Sequence, residues 1–371
     1  MQKPIHIVAF DVPYPADYGG VIDIFHKLRW LKKLNVSITL HCFQYGREQQ
    51  AILNEWCDKV YYYKRSKYKN PFIGNVPYIV STRSNDELLE NLCKDSFPII
   101  FEGIHCTYFL THKKLKNRIK IVRNHNIEHD YYKNLELIET NFFKKYFFRN
   151  ESDLLKQYEK VLKHAQQILA ISPSDHDYLQ KNYQHSVLVP AFHANDSINI
   201  KPGKGSFLLY HGNLSVGENN HAALFLVNQV FSQIKYPVVI AGNKPSPELV
   251  NACKPYPHIQ LISNWSNEEI MNAVSDAQIN ILPTFQGTGI KLKLLNALFI
   301  GKFCLVNELM VQNTGLEKAC IISINAEEMI KEIHLLWNKD FDEDAIAQRK
   351  KVLMQGPFNN EHNTQTILAL I

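Results

Sequence analysis

The sequence predicts an α/β protein built from two doubly wound parallel sheets, and three observations predict it. Short apolar runs alternate with helical spacing along nearly all of the 371 residues, the pattern of repeated βα units. A stretch rich in Pro, Gly and polar residues, Pro190 to Gly205, divides the alternation into two series. Glycines follow several apolar runs, at Gly19-Gly20, Gly212, Gly242, Gly287 and Gly289, where an open parallel sheet gathers its ligands. We expect a first domain over residues 1–190 and a second over 191–356, with a terminal helix in 357–371 that folds back on the first.

In the first series, Ile5–Phe10 reads as the opening strand, because it lacks the long apolar core and small-residue cleavage site of a signal peptide. Ile24, Phe25, Leu28, Leu31 and Leu34 give a helix after Gly19-Gly20, and Ser37–Phe43 gives the next strand. Val60–Tyr62, Pro98–Phe101, Lys120–Val122 and Ile168–Ile171 read as further strands, with a helix over Asp86–Lys94. Gly19 and Gly20 either let a phosphate or sugar approach closely or meet the geometry of a proline-bent loop. The order lacks G-x-G-x-x-G, which disfavours a nicotinamide cofactor.

Two successive strand ends carry His with Glu: Glu102 to His105, then His125-Asn126-Ile127-Glu128-His129. His125, Asn126 and Glu128 suit hydrogen bonds to sugar hydroxyls or proton exchange, whereas His105 and His129 read as polar loop groups that cap the next helix. A long helix is expected from about Asn141 to Gln167. Its opening, Phe142–Arg149, mixes aromatic and basic residues like a membrane-surface segment. Phe143, Phe147, Leu154, Tyr158, Val161 and Ala165 also make a stripe, and core packing is the preferred reading.

The second series opens with Phe207–His211 and the turn Gly212-Asn213-Leu214-Ser215, then a helix beyond Glu218. Pro237–Ala241, Ile259–Ile262 (leading into Asn264-Trp265), Ile279–Thr284 and Phe303–Val306 read as strands. Everything turns on Gln286–Gly301, which follows one of them as a glycine loop and then a helix. Gly287 and Gly289 permit positive φ and close backbone approach. The helix start offers unpaired N–H groups and about half a unit of positive charge, and Lys291 and Lys293 add two full charges. Such a place binds phosphate.

Hydrophobic residues at 45% and charged residues at 21% are ordinary for a globular protein with substantial cores. Residues 1–190 hold 27 Lys and Arg against 20 Asp and Glu, and the remainder 14 against 16. A basic first half fits either an acidic partner, such as an anionic lipid surface, or a solvated face without one. No nucleic-acid-binding module, metal-ligand spacing or membrane-spanning apolar run is evident. Seven cysteines without a C-x-x-C pair read as buried free thiols in a reducing compartment. The cytoplasm is the expected location, with peripheral contact at the inner face of the membrane as the minority reading.

Two Rossmann-like halves joined by one linker resemble the GT-B fold, with the domains facing a cleft, and the motifs resemble family 4 (glycosyl transferases group 1) retaining glycosyltransferases. Pro13-Tyr14-Pro15 with Gly19-Gly20 is similar to that family's first glycine loop, Gly212-Asn213-Leu214 to its Gly-Arg-Leu element, and Ile240-Ala241-Gly242 to its strand-end glycine. Pro283-Thr284 with Gly289, Lys293, Ala297 and Gly301 resembles its nucleotide-diphosphate segment. Asn213 and Asn219 stand where the family usually has Arg and Lys, and Thr288 and Asn296 where it has paired glutamates. Lys291 and Lys293 are candidates to supply the missing cations.

The resemblance implies sugar transfer from a nucleotide-diphosphate donor, UDP- or GDP-linked, to a carbohydrate or lipid-linked acceptor, with retention and no permanent cofactor or metal. Gly287, Thr288, Gly289, Lys291 and Lys293 would hold the diphosphate, Asn296 the ribose, and Asn264 or Trp265 the base side. Gly19 and Gly20 would approach the phosphates or acceptor, Gly212 and Asn213 would line the donor site, and His125 and Glu128 would contact the transferring sugar. Two rivals stand beside this reading: a nucleotide-sugar epimerase of the same fold, and a binding relative without chemistry, suggested by Thr288 and Asn296.

Overall fold

The computed structural model describes residues 3–66, 70, 74–139, 141–285, 292–312, 314–356 and 358–371. They form two compact units: the chain up to His193 together with Asn360–Ile371, and Ala194–Asn359. The first unit is built on β1 (Lys3–Ala9), β2 (Val36–Gln44), β3 (Lys59–Lys64), β4 (Ile99–Glu102), β5 (Lys120–Asn124), β6 (Gln167–Ala170) and β7 (Ser186–Leu188). All neighbours pair in parallel in the order β3-β2-β1-β4-β5-β6-β7. β4 and β5 are buried at every residue, the condition under which parallel strands read as unbroken apolar runs. The helix Gly19–Lys33 packs through Val21, Ile24, Leu28 and Leu31, all fully buried at helical spacing. Its buried face also carries Asp23 and Lys27.

The second unit holds β8 (Leu208–His211), β9 (Val238–Ala241), β10 (Ile259–Ile262), β11 (Ile279–Ile281), β12 (Phe303–Asn307) and β13 (Ile321–Ser323). Their parallel order is β10-β9-β8-β11-β12-β13. In both sheets the chain begins centrally, winds outward to one edge, then crosses to build the other. The winding reverses between β1 and β4 in one sheet and between β8 and β11 in the other. Such switch points open a crevice at the carboxyl ends of the strands, where ligands bind.

The helix Asn360–Leu368 belongs to the first unit. Asn360 donates to the His193 carbonyl at 2.9 Å and accepts from its N–H at 3.3 Å, and Ile367 is fully buried in the core shared with Leu28 and Ile38. No helix among the described residues is long and apolar enough to cross a membrane.

Three expectations need correction. The long helix is in fact two elements, an α-helix over Phe142–Tyr158 and a tighter 3₁₀ segment over Glu159–His164. Its stripe packs only in its second half: Ala165 is buried in the core and Tyr158 and Val161 pack against core residues, whereas Phe143 is 80% exposed, and Leu155 is the apolar residue of the α-helix that is buried. Helical periodicity locates an apolar face but does not say what covers it. Five cysteines are buried free thiols, whereas Cys93 is exposed and Cys320 half-buried.

Candidate functional site

In the second unit, β8 ends at His211 and the chain turns through Gly212–Ser215 into the helix Gly217–Phe225. The turn is held by Asn213, whose Oδ1 accepts from the Ser215 N–H at 3.1 Å and its hydroxyl at 2.7 Å. Asn219 donates from Nδ2 to the Asn213 carbonyl at 3.0 Å, and the Tyr210 hydroxyl donates to the Asn219 carbonyl at 2.8 Å. From the far side of the crevice, the helix Leu292–Ile300 sends Lys293 to this loop. Its Nζ donates to Asn219 Oδ1 at 2.9 Å and lies 5.3 Å from the centroid of the Tyr210 ring. A cation therefore stands at the start of the helix Gly217–Phe225, in addition to that helix's own N-terminal dipole. Buried His211 is pushed down to about 3 by burial and then by Lys293, so it is neutral at ordinary pH. Its Nε2 has no hydrogen-bond partner among the described residues.

After β11, Thr284 is fixed from both sides. Its N–H donates to Asn307 Oδ1 at 3.0 Å and its carbonyl accepts from Asn307 Nδ2 at 2.6 Å, while its hydroxyl donates to Glu218. Gly242 is required by close approach: a Cβ there would sit 1.9 Å from the Gly212 carbonyl oxygen. Asn264, in left-handed backbone at φ 67°, donates its N–H to Asn243 Oδ1 at 3.0 Å. The loops after β8, β9 and β10 thus lean on one another, which places half-buried Trp265 on the same end of the sheet as Gly212. Asn296 accepts at Oδ1 from Asn195 Nδ2 at 2.9 Å, which leaves its own Nδ2 as a donor. Gly287, Thr288, Gly289 and Lys291 lie outside the described residues.

In the first unit, the crevice between β1 and β4 is organised on the Phe10 ring. Gly20, in the first turn of the helix Gly19–Lys33, admits that ring, since a Cβ would stand 2.6 Å from its Cζ. His105 and His125 each lie 5.3 Å from it, centroid to centroid. Gly19 meets nothing within 4 Å of its would-be Cβ. Beneath lies a buried ionic cluster. Arg123 clasps Asp23 at 2.8 and 3.1 Å, and Lys27 Nζ bridges Asp23 at 3.3 Å and Glu102 at 2.7 Å. Burial opposes ionisation of both carboxyls, but Arg123 and Lys27 hold Asp23, and Lys27 and His125 hold Glu102, below the ordinary carboxylate range. His125 Nε2 donates to Glu102 Oε2 at 3.0 Å, which fixes the ring. Ligand atoms of Asp23, Glu102 and His125 come within 4.8 Å of one another. Lys27 and Arg123 already supply the positive charge that a metal would bring, so the donor set does not suit an ion.

Glu128 opens the helix Glu128–Ile138, accepts from Asn126 Nδ2 at 3.4 Å, and is raised to about 7 by burial. His125 and Glu128 are held by different partners, Glu102 and Asn126, and no hydrogen bond joins them. His129 serves structure: its Nδ1 pairs with Glu159 at 3.0 Å. A cavity of about 600 Å³ opens beside the ends of β1 and β2, lined by Asp11, Asp17, Tyr18, Tyr45, Arg47 and Gln50. Asp11 there accepts from the Tyr18 hydroxyl at 3.0 Å and is raised by burial.

Sequence reasoning missed Glu218, Tyr210, Asp23, Lys27 and Arg123. The available signal was charge at otherwise apolar positions: Asp23 and Lys27 interrupt the buried face of the Gly19–Lys33 helix, and Arg123 a buried strand. A lone charged residue in such a stripe asks for a partner.

No family model matches the chain. A Klebsiella pneumoniae protein described as an uncharacterized 44.6 kDa protein in a cps region is 26% identical over 352 residues, covering 90% of each chain. Sucrose-phosphate synthase from Thermosynechococcus elongatus has a TM-score of 0.68 at 13% identity, over 100% of this chain and 98% of the other. A glycosyltransferase from Rickettsia africae has 0.62 at 15%, again over 100% and 98%. The chain has the GT-B fold. Its two sheets of seven and six parallel strands are the GT-B pair of Rossmann-like domains, and at these identities the likeness extends to the fold alone. Within a GT-B chain, function is carried by the site rather than by the architecture.

Proposed function

We propose that the protein is a glycosyltransferase that moves a sugar from a UDP- or GDP-linked donor to a hydroxyl of a carbohydrate or lipid-linked acceptor. The observation that carries this reading is Lys293 Nζ at 2.9 Å from Asn219 Oδ1. A cation reaches, from the opposite helix, the loop where the resembled family keeps its own. The Klebsiella relative's place in a cps region supports a role in surface-polysaccharide synthesis.

In this reading the donor diphosphate sits at the turn after Gly212, beside Asn213 and Lys293, and the sequence assigns Gly287, Thr288, Gly289 and Lys291 to the same phosphates. Breaking the bond from sugar C1 to the phosphate oxygen leaves the electron pair on the diphosphate. The acceptor hydroxyl forms the new bond to C1, and its proton passes to the departing phosphate oxygen. Lys293 stabilises the charge that grows there: at an effective dielectric near 20, a unit charge about 4 Å away gains about 4 kcal/mol. That is comparable to the loss seen when a single oxyanion donor is removed elsewhere, about 3–4 kcal/mol, so one lysine suffices to matter. Asn296 offers Nδ2 to the ribose, and Asn264 or Trp265 meets the base. On the first unit we assign His125, which Glu102 fixes, and Glu128 to the transferring sugar, and Gly19 and Gly20 to the phosphates or the acceptor. The cavity edged by Tyr18, Tyr45 and Asp11 suits a carbohydrate acceptor, offering ring faces and hydroxyl acceptors together. Retention of anomeric configuration follows from the resemblance.

A reading without chemistry is favoured by one observation: Asn296 carries no charge and its oxygen is already taken by Asn195. Incubation with a panel of UDP- and GDP-sugars separates the possibilities. Transfer or donor hydrolysis supports the proposal. Binding without turnover indicates a non-catalytic relative, and sugar isomerisation an epimerase.

A further inference from the structure

The helices Glu128–Ile138 and Phe142–Tyr158 pack against each other as a hairpin, with Tyr132 against Phe147 and Phe148. Its base is anchored. Leu155 is buried with Ile79, Val80 and Ile104, and Glu151 accepts from the N–H groups of Tyr78 and Ile79 at 2.9 and 2.8 Å. At about 1.5 Å per residue, the other end of the second helix stands about 20 Å from Leu155. There Phe142 is 75% exposed, Phe143 80% and Tyr146 57%. With Lys144, Phe147 and Phe148 these rings line a groove of about 840 Å³. Lys144, Lys145 and Arg149 are exposed on the same turns, residues 141–150 contain no Asp or Glu, and among the described residues Glu139 is the one acidic residue that lines the groove.

We propose that this hairpin tip docks on an anionic lipid bilayer, Phe142 and Phe143 entering the boundary between headgroups and acyl chains while Lys144, Lys145 and Arg149 meet lipid phosphates. Aromatic rings and cations on adjoining turns of one helix are the chemistry of an interfacial helix. Each cation near an anionic surface and each buried ring adds independently to the affinity. A protein groove fits less well, because the core of a protein interface excludes lysine.

Vesicle flotation tests the proposal with the full chain, using phosphatidylcholine vesicles with and without phosphatidylglycerol. Wild type is expected to rise with the anionic vesicles and stay behind with the neutral ones. Phe142→Ser/Phe143→Ser and Lys144→Glu/Lys145→Glu should each lower recovery by about tenfold or more, with unchanged thermal melts because the residues are exposed. Phe142→Trp/Phe143→Trp should keep binding and shift its fluorescence to the blue on anionic vesicles. Equal recovery of wild type and both disruptive variants would overturn the proposal, as would a wild type that ignores both vesicles. An oligomer dissolved by Phe142→Ser/Phe143→Ser with vesicle recovery unaltered would instead assign the tip to a second copy.

Discussion

Lys293 donates to Asn219 across the crevice between β8 and β11, so the helix after β11 supplies a charge to the first turn of the helix after β8. An amide shares the ammonium without neutralising it. A carboxylate at the same place would neutralise it. Asn219→Asp is therefore expected to weaken binding of UDP or GDP by about tenfold or more, as calorimetric titration would show. Equal affinity would detach the pair from the phosphate site.

The cluster of Asp23, Lys27, Glu102 and Arg123 balances two negative charges against two positive ones in the first unit. Glu102→Gln leaves one cation short of a partner and should cost about 3–5 kcal/mol in urea unfolding at neutral pH. Both carboxyls are held low in the folded state. Their contribution is therefore present above the ordinary carboxylate pKa and is lost as pH falls through the folded value. The variant's penalty should shrink in acid, and a penalty that does not change with pH would show that the cluster is not ionic.

Glu128 has the opposite sign. Burial raises it from 4.5 to about 7, so between those values the folded state holds a proton that the unfolded state has released. Stability falls as pH rises through that window, by about 3 kcal/mol in all. Glu128→Gln removes the cost and should raise unfolding stability by a similar amount at pH about 8, with little gain near pH 4. The same gain at both would mean that Glu128 is not protonated in the fold.

Gly242→Ala should force the turns after β8 and β9 apart, because its Cβ would overlap the Gly212 carbonyl. A loss of about 2–4 kcal/mol is expected from backbone displacement of this kind. The stabilisation of the melt by UDP or GDP should fall with it, whereas a variant that melts and responds like wild type would show the two loops to be independent.

Most strands were legible because β1, β4, β5, β8, β9 and β11 carry buried apolar runs, and buried parallel strands leave a local signal, whereas the three-residue strands β7 and β13 were not read from the sequence. Lys293 was legible as a charge at a helix start, but its contact with Asn219, 74 positions away, is a product of topology that no local pattern carries. Asp23 and Arg123 were legible as charges at apolar positions, but their pairing, across 100 residues, was unreadable for the same reason. The helix at Phe142 failed differently: its stripe had the right period, and periodicity is equally compatible with a core face and an exposed one. Gly287 to Lys291, prominent in the sequence, lie outside the described residues, so Lys293 and its partners carry the candidate donor site.

The most direct test is donor turnover by Lys293→Ala and Lys293→Arg, measured with the UDP- or GDP-sugar that wild type consumes. Loss of one charge that acts on the leaving diphosphate predicts a drop of about 10²–10³ in kcat for Lys293→Ala, a smaller drop for Lys293→Arg, and an unchanged Tm for both. Undiminished turnover in Lys293→Ala would contradict the placement of the donor diphosphate at Lys293.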